Sequence, residues 1–77
     1  MWIEENNRLK KKFIFGDFQE AFAFMTRVAF LAEQHNHHPN WSNVYHTVEI
    51  ELTTHDAGNV VTEKDRQLAK AIDGIQK

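Results

Sequence analysis

A long amphipathic helix near the middle of the chain most constrains the fold, because the rest of a 77-residue sequence must cover its apolar side. Gly16 and Asp17 predict its start, since Asp17 suits an N-cap and Glu20 follows three residues later. Pro39 cannot continue a helix, and it disfavours helical dihedrals at His38. The apolar positions predicted to face the core share helical spacing: Phe18, Ala21, Phe22, Met25, Val28, Ala29 and Ala32.

Alternating apolar and polar residues before this helix predict a β-hairpin. Residues 1–5 and 9–15 are its strands, and Asn6 and Asn7 are typical turn residues. Lys11 falls on the apolar side of the second strand. We therefore expect the strand to be bulged or solvent-facing at that position.

Alternation returns after the helix and predicts one strand, or two short strands joined by a kink, between Asn43 and Leu52. His46 belongs to this alternation and is interpreted as a strand residue. Thr62 then starts a second helix, with Asp65 at the third helical position as in a capping box. The apolar residues expected on its inner face are Leu68, Ala71, Ile72 and Ile75.

This order of elements predicts a single α+β domain over residues 1–77. We expect an antiparallel sheet of three to four strands with two helices packed on one face. The chain contains no cysteine, so disulfides and thiolate metal sites cannot stabilise it. A chain of this size buries only about 60% of its unfolded surface, so we expect a homo-oligomer, either a dimer or a tetramer.

Three apolar side chains of the first helix lie off the predicted core stripe: Phe24, Phe30 and Leu31. Two interpretations carry equal weight. A partner subunit or another protein could cover the surplus apolar surface. Alternatively, Phe24 and Leu31 simply widen the core face of the helix.

Charge and hydropathy narrow the classes of partner. The net charge of −2 lacks the basic excess typical of direct nucleic-acid binding. Residues 1–7 do not resemble a signal peptide, and no apolar run is long enough to cross a membrane. We therefore expect a cytoplasmic protein without membrane association.

Imidazole groups are concentrated where the first helix ends, since four of the seven side chains from His35 to Trp41 are imidazole or indole. Imidazole titrates near neutral pH and suits proton transfer. A strand running back along the helix would also bring His55 close to His37 and His38. An acid–base site is one interpretation, and solvent-exposed loop histidines are the plainer alternative.

A zinc site is the other chemical alternative, because histidine nitrogens can supply an entire catalytic zinc ligand set. The adjacent and i/i+2 spacings do not match the helical pair His-x-x-x-His, which makes this interpretation weaker. The candidate ligands would be His35, His37, His38 and His55.

Several motifs together resemble the pterin-4a-carbinolamine dehydratase family, also called 4a-hydroxytetrahydrobiopterin dehydratases. The resemblance is carried by residues 32–39, 43–45, 52–56 and 62–65, with Trp41 between the first two segments. His-His-Pro followed by Thr-His-Asp at this separation is more specific than either motif alone. The likeness extends from Trp2 to the final helix.

The resemblance implies dehydration of 4a-hydroxytetrahydropterin to quinonoid dihydropterin, in support of tetrahydrobiopterin recycling, by a homo-oligomer without metal or organic cofactor. It assigns His37 and His55 as the acid–base pair, in unresolved order, and His38 mainly to substrate binding. The implied catalytic residues are His37, His38 and His55. The implied substrate contacts are His38, Pro39, Thr54 and Asp56.

Two residues outside this set have open roles: Glu33 and Asp65 either orient histidines or cap helices, and capping is favoured for Asp65.

The sequence departs from the family pattern in two places. Family members generally carry a further helix before the position of Trp2, and residues 59–61 replace a Gly-Leu pair with a loop one residue longer. A protein-binding or dimerisation module and a catalytically impaired paralogue of the same fold are therefore the alternative functions.

Overall fold

The computed structural model describes residues 1–76, which form one four-stranded antiparallel sheet and two α-helices. The sheet order is β1-β2-β4-β3, so the predicted α+β fold is confirmed with four strands. No helix within these residues is long and apolar enough to cross a membrane. The elements are β1 (Ile3–Glu5), β2 (Arg8–Ile14), α1 (Phe18–His35), β3 (Asn40–Val44), β4 (Thr47–Leu52), a 3-10 turn (His55–Ala57) and α2 (Glu63–Ile75).

Local sequence explains the first hairpin and the start of α1. Asn6 and Asn7 have φ angles of 52° and 63°, in the left-handed region that asparagine tolerates and that two-residue hairpin turns use. The Asp17 carboxylate accepts a hydrogen bond from the backbone N–H of Glu20 at 2.9 Å. The Glu20 side chain in turn accepts one from the Gly16 N–H at 2.8 Å. The predicted hairpin and helix start are both confirmed.

A second tight turn, formed by Tyr45 and His46, separates β3 from β4. Tyr45 adopts a left-handed φ of 50°, and the Asn43 side chain donates hydrogen bonds to the backbone carbonyls of Tyr45 and Thr47. The prediction of two short strands is therefore the correct one of the two alternatives. The assignment of His46 to a strand is wrong, because alternation alone does not reveal this turn.

The core lies between one face of the sheet and both helices. Leu9 pairs with Leu52 and Phe13 with Val48 across β2 and β4, so their side chains share that face. The buried apolar core consists of Leu9, Phe13, Ala21, Phe24, Val28, Val48, Ile50, Leu52, Leu68, Ala69 and Ile72.

Helix α1 is rotated relative to the predicted stripe. Phe18 and Phe22 are 48% and 54% exposed, whereas Phe24 is only 6% exposed. The Phe24 ring packs 4.8 Å from the ring of Phe13, between centroids, so aromatic packing against the sheet fixes the rotation. The interpretation that Phe24 and Leu31 widen the core face is confirmed, while Phe30 remains 68% exposed.

Lys11 lies on the core side of β2 without a bulge, because β2 and β4 pair residue by residue and place it opposite Ile50. Its ammonium group contacts the Asp73 carboxylate at 2.8 Å and lies 4.9 Å from the centre of the Phe13 ring. The Trp2 indole N–H donates to the same carboxylate at 3.1 Å. The predicted bulge or solvent-facing position is therefore wrong, and Lys11 instead connects β2 to α2.

Replacing two phenylalanines of α1 separately tests this rotation. Phe24→Ala should lower the free energy of unfolding by about 3–5 kcal/mol, because it removes a buried ring. Phe30→Ala is the matched control and should change it by less than about 0.5 kcal/mol. Urea denaturation monitored by circular dichroism measures both, and equal losses would contradict the rotation described above.

Candidate active site

The end of α1 and the end of β4 together form one cleft. Asn36 terminates α1 in a left-handed conformation with φ 49°, and the N–H of His37 bonds back to the carbonyl of Ala32 at 3.0 Å. This turn directs the chain toward the loop that begins with Thr54. The cleft has a volume of about 250 Å³ and is lined by Asn36, His37, His38, Thr53, Thr54, His55, Asp56 and Lys64.

A buried hydrogen bond between a histidine and a carboxylate forms one wall of the cleft. His37 is 8% exposed, and its Nε2 lies 2.5 Å from Oδ1 of Asp65, which is fully buried. The other oxygen of this carboxylate accepts hydrogen bonds from the Thr54 hydroxyl at 2.7 Å and from the Thr62 backbone N–H at 2.8 Å. Asp65 therefore joins the helix exit, the end of β4 and the start of α2.

These contacts define the proton position on His37. Burial by itself raises the pKa of Asp65, but hydrogen bonds from His37, Thr62 and Thr54 outweigh it and hold that pKa below its usual value. The ionised carboxylate can only accept, so Nε2 of His37 carries a proton. Every fully buried polar side-chain atom among the described residues has a partner. Nδ1 of His37 has none, so it is accessible and can accept a proton from a molecule in the cleft.

His38 and His55 have different partners from His37. Nε2 of His38 lies 2.7 Å from Oε2 of Glu33, and both side chains are exposed, so this pair orients the ring more than it stabilises the fold. Nδ1 of His55 lies 3.1 Å from Oδ1 of Asn59. The three imidazoles of the cleft thus contact a buried carboxylate, an exposed carboxylate and an amide.

The cleft brings together five of the six residues expected in the site: His37, His38, Thr54, His55 and Asp56. Pro39 is half-buried and is not among the lining residues, so its contact with a substrate stays a prediction. His35 and His46 lie outside the cleft. Within residues 1–76, no group of three or more His, Asp or Glu side chains is arranged to hold a metal ion.

The structure answers the open question about Asp65 and adds two cleft residues that the sequence did not predict. Asp65 forms the favoured capping box with Thr62 and also orients a histidine, His37, which is 28 positions away in the chain. Lys64 lines the cleft, and Asn59 contacts His55. The capping pattern was the only local signal for Asp65, because a cap occupies one carboxylate oxygen and leaves the partner of the other undetermined.

Larger hollows occur elsewhere but carry different chemistry. One of about 380 Å³ lies on the outer sheet face among charged residues that include Lys10 and Glu49, and another of about 380 Å³ lies between β1 and α2 beside Asp73. No histidine lines either of these two hollows in the described chain. The smaller cleft is therefore the better candidate for the active site, because acid–base groups converge on it and the two hollows offer only a larger volume.

The three cleft histidines are arranged so that one ring could accept a proton from a bound molecule while another donates a proton to it. A cleft slightly smaller than the range of about 300–1,000 Å³ typical of small-molecule sites suits a compact flat ligand. Imidazoles with different partners can hold different protonation states near neutral pH. The fold and the cleft define a small α+β protein with a histidine-lined cleft.

The comparisons with known proteins identify the family. The family model for pterin 4 alpha carbinolamine dehydratase matches residues 1–75, and this chain belongs to that family. A protein of Synechococcus sp. (strain WH7803) with the name "Putative pterin-4-alpha-carbinolamine dehydratase" is 61% identical over 74 residues, covering 96% of this chain and 78% of the relative. The resemblance found in the sequence is confirmed.

Two solved structures share the fold. One is described as a transcriptional coactivator/pterin dehydratase from Brucella melitensis, with 38% identity, a TM-score of 0.90 and coverage of 96% of this chain and 80% of the other. The second is described as a pterin dehydratase-like protein that is a RuBisCO assembly factor in the alpha-carboxysome. It has 28% identity and a TM-score of 0.76, and the match covers 96% of this chain and 84% of the other.

Replacement of Asp65 by asparagine should destabilise the fold near neutral pH by about 1.5–3 kcal/mol, because a neutral amide then replaces a buried carboxylate that accepts hydrogen bonds from three donors. The folded protein holds the Asp65 proton less tightly than the unfolded chain does, so this stabilisation is present above about pH 4 and is lost as the pH falls further. Urea unfolding at a series of pH values measures the effect. The difference between wild type and Asp65→Asn should shrink on acidification, and a constant difference would contradict the ionised state of Asp65.

Proposed function

We propose that this protein is a hydro-lyase that dehydrates 4a-hydroxytetrahydropterin to quinonoid dihydropterin, and that it serves tetrahydrobiopterin recycling. The observation that carries the proposal is that His37, His38 and His55 line one cleft, with Nδ1 of His37 free to accept a proton. Membership of the family supports the same substrate class.

In the proposed reaction, Nδ1 of His37 takes the proton from N5 of the pterin. The electron pair of that N–H bond forms the C4a=N5 double bond, while the bond between C4a and the hydroxyl oxygen breaks. The oxygen keeps the electrons of the broken bond, accepts a proton from Nε2 of the His55 imidazolium and leaves as water. The Asp65 carboxylate stabilises the imidazolium that forms on His37, as the aspartate does in a Ser-His-Asp triad.

The other cleft residues are proposed to bind the pterin ring. His38, oriented by Glu33, offers its remaining ring nitrogen to the heterocycle. Thr54 and Asp56 line the cleft, and Pro39 is expected to limit its edge. The chemistry in this proposal uses side chains alone, with no metal and no organic cofactor.

Turnover of freshly generated 4a-hydroxytetrahydropterin by the pure protein tests the proposal. His37→Ala and His55→Ala should each lower kcat by about 100-fold or more, because each removes one proton-transfer group. His46→Ala is the matched control, since His46 lies in the β3–β4 turn at the opposite end of β4, and it should leave kcat unchanged. A rate that both cleft replacements leave intact would reject the dehydratase.

A second candidate function is a protein-binding module, which the exposed apolar side of α1 favours. Phe18 and Phe22 are largely exposed, and their rings lie 5.7 Å apart between centroids, so they form one patch. Two proteins that share the fold are described as a transcriptional coactivator/pterin dehydratase and as a RuBisCO assembly factor. We propose that this patch binds a second copy of the chain and so mediates homo-oligomerisation into a dimer or tetramer. We also propose that the protein is cytoplasmic and contacts neither nucleic acid nor membrane directly.

Sedimentation velocity tests the role of this patch. The double replacement Phe18→Ser and Phe22→Ser should convert an oligomer into a monomer, because it removes the apolar contact. Ile14→Ser is the control, since Ile14 is 65% exposed, more than either phenylalanine, and lies on the outer face of the sheet. Wild-type protein that sediments as a monomer would reject the oligomer.

The remaining alternative is a catalytically impaired paralogue with the same fold. Binding of a dihydropterin to the wild-type protein, without turnover of the 4a-hydroxy substrate, would identify it. Isothermal titration with the product alongside the turnover assay separates this case from the active dehydratase.

A further inference from the structure

The loop after β4 places an amide beside one of the cleft imidazoles. Oδ1 of Asn59 lies 3.1 Å from Nδ1 of His55. Asn59 lies four positions after His55, in the loop between β4 and α2, so one short segment supplies both groups.

Backbone hydrogen bonds fix the position from which the Asn59 side chain extends. Asn59 has a left-handed φ of 62°, and its N–H donates to the carbonyl of Thr54 at 3.0 Å. The N–H of Gly58 donates to the carbonyl of His55 at 3.0 Å, and the N–H of Thr54 donates to Val60 at 2.9 Å. Asparagine meets both requirements of the position, because it tolerates the left-handed backbone and carries an acceptor.

We propose that Asn59 is a positioning residue that fixes His55 as the Nδ1–H tautomer and leaves Nε2 as the nitrogen presented to the cleft. A carbonyl oxygen can only accept a hydrogen bond, so the ring nitrogen facing it has to carry the proton. Neutral histidine free in water prefers the opposite tautomer, with the proton on Nε2. Asn59 therefore reverses the intrinsic preference of the ring.

The catalytic consequence rests on the proposed dehydration. When the imidazolium of His55 gives its Nε2 proton to the leaving oxygen, the neutral ring that remains is already the tautomer that Asn59 holds. Solvent then takes the proton from Nδ1 of His37 and returns one to Nε2 of His55, so the protons balance and the His55 ring does not need to rearrange between turnovers. The charged and titratable groups that share the cleft with His55 are His37, His38, Asp56 and Lys64.

NMR of the histidine ring nitrogens tests the assignment without any need for turnover. At a pH above the histidine titration range, long-range ¹H–¹⁵N correlations should show His55 of the wild-type protein with its proton on Nδ1. Asn59→Gly keeps the left-handed backbone and should return the proton to Nε2, whereas Asn59→Asp retains an acceptor and should keep it on Nδ1. Asn6→Gly, at another left-handed asparagine, is the matched control and should change nothing.

The kinetic arm of the experiment uses the same variants. Asn59→Gly should lower kcat by about 3- to 10-fold with little change in KM, corresponding to the loss of one hydrogen bond. Asn59→Asp should restore kcat and move its pH profile upward, because a carboxylate beside His55 favours the imidazolium. Wild-type His55 with its proton on Nε2, or an unchanged tautomer in Asn59→Gly, would overturn the inference. An inactive wild-type protein with the expected tautomers would count against the dehydratase instead.

Discussion

The cleft depends on the hydrogen bonds that the buried carboxylate of Asp65 accepts. Moving a carboxylate out of water into the protein interior costs several kcal/mol of folding free energy unless hydrogen bonds replace its hydration. Three donors supply that replacement: the ring of His37, the hydroxyl of Thr54 and the backbone N–H of Thr62. Because these donors come from the exit of α1, the end of β4 and the start of α2, satisfying one charge also brings the walls of the cleft together. Stability and the geometry of the site therefore share the same three bonds.

The cleft also shows how one residue type can take several roles in a small protein. His37 faces a buried carboxylate, His38 faces the exposed carboxylate of Glu33, and His55 faces the amide of Asn59. Each partner determines which ring nitrogen carries a proton and which remains available. Different surroundings for chemically identical groups are a general way to divide acid and base roles at one pH. In the proposed dehydratase, this division uses side chains at the exit of α1 and in the loop after β4.

Features that depend on neighbouring residues could be predicted from the sequence, and features that depend on distant packing could not. The hairpin turn at Asn6, the N-cap at Asp17 and the capping box that includes Asp65 each involve residues within a few positions of one another. The predicted rotation of α1 is wrong, because phenylalanines lie on several sides of the helix. Only contact with the sheet selects Phe24 for the core. The ion pair of Lys11 connects β2 to α2 over 62 positions, and no local pattern reveals it. For the same reason the histidines could be placed near one cleft from the sequence, and Glu33 and Asp65 could be named as candidates to orient them, but which histidine each carboxylate contacts could not be predicted.

A crystal structure with bound dihydropterin tests the central claim most directly. The account predicts the bicyclic ring in the cleft, with N5 within about 2.6–3.2 Å of Nδ1 of His37 and the C4a side facing Nε2 of His55. It also predicts that Nε2 of His37 keeps its contact with Asp65 in the complex. A pterin bound on the outer face of the sheet, or a His37 ring turned so that Nδ1 faces Asp65, would contradict the account.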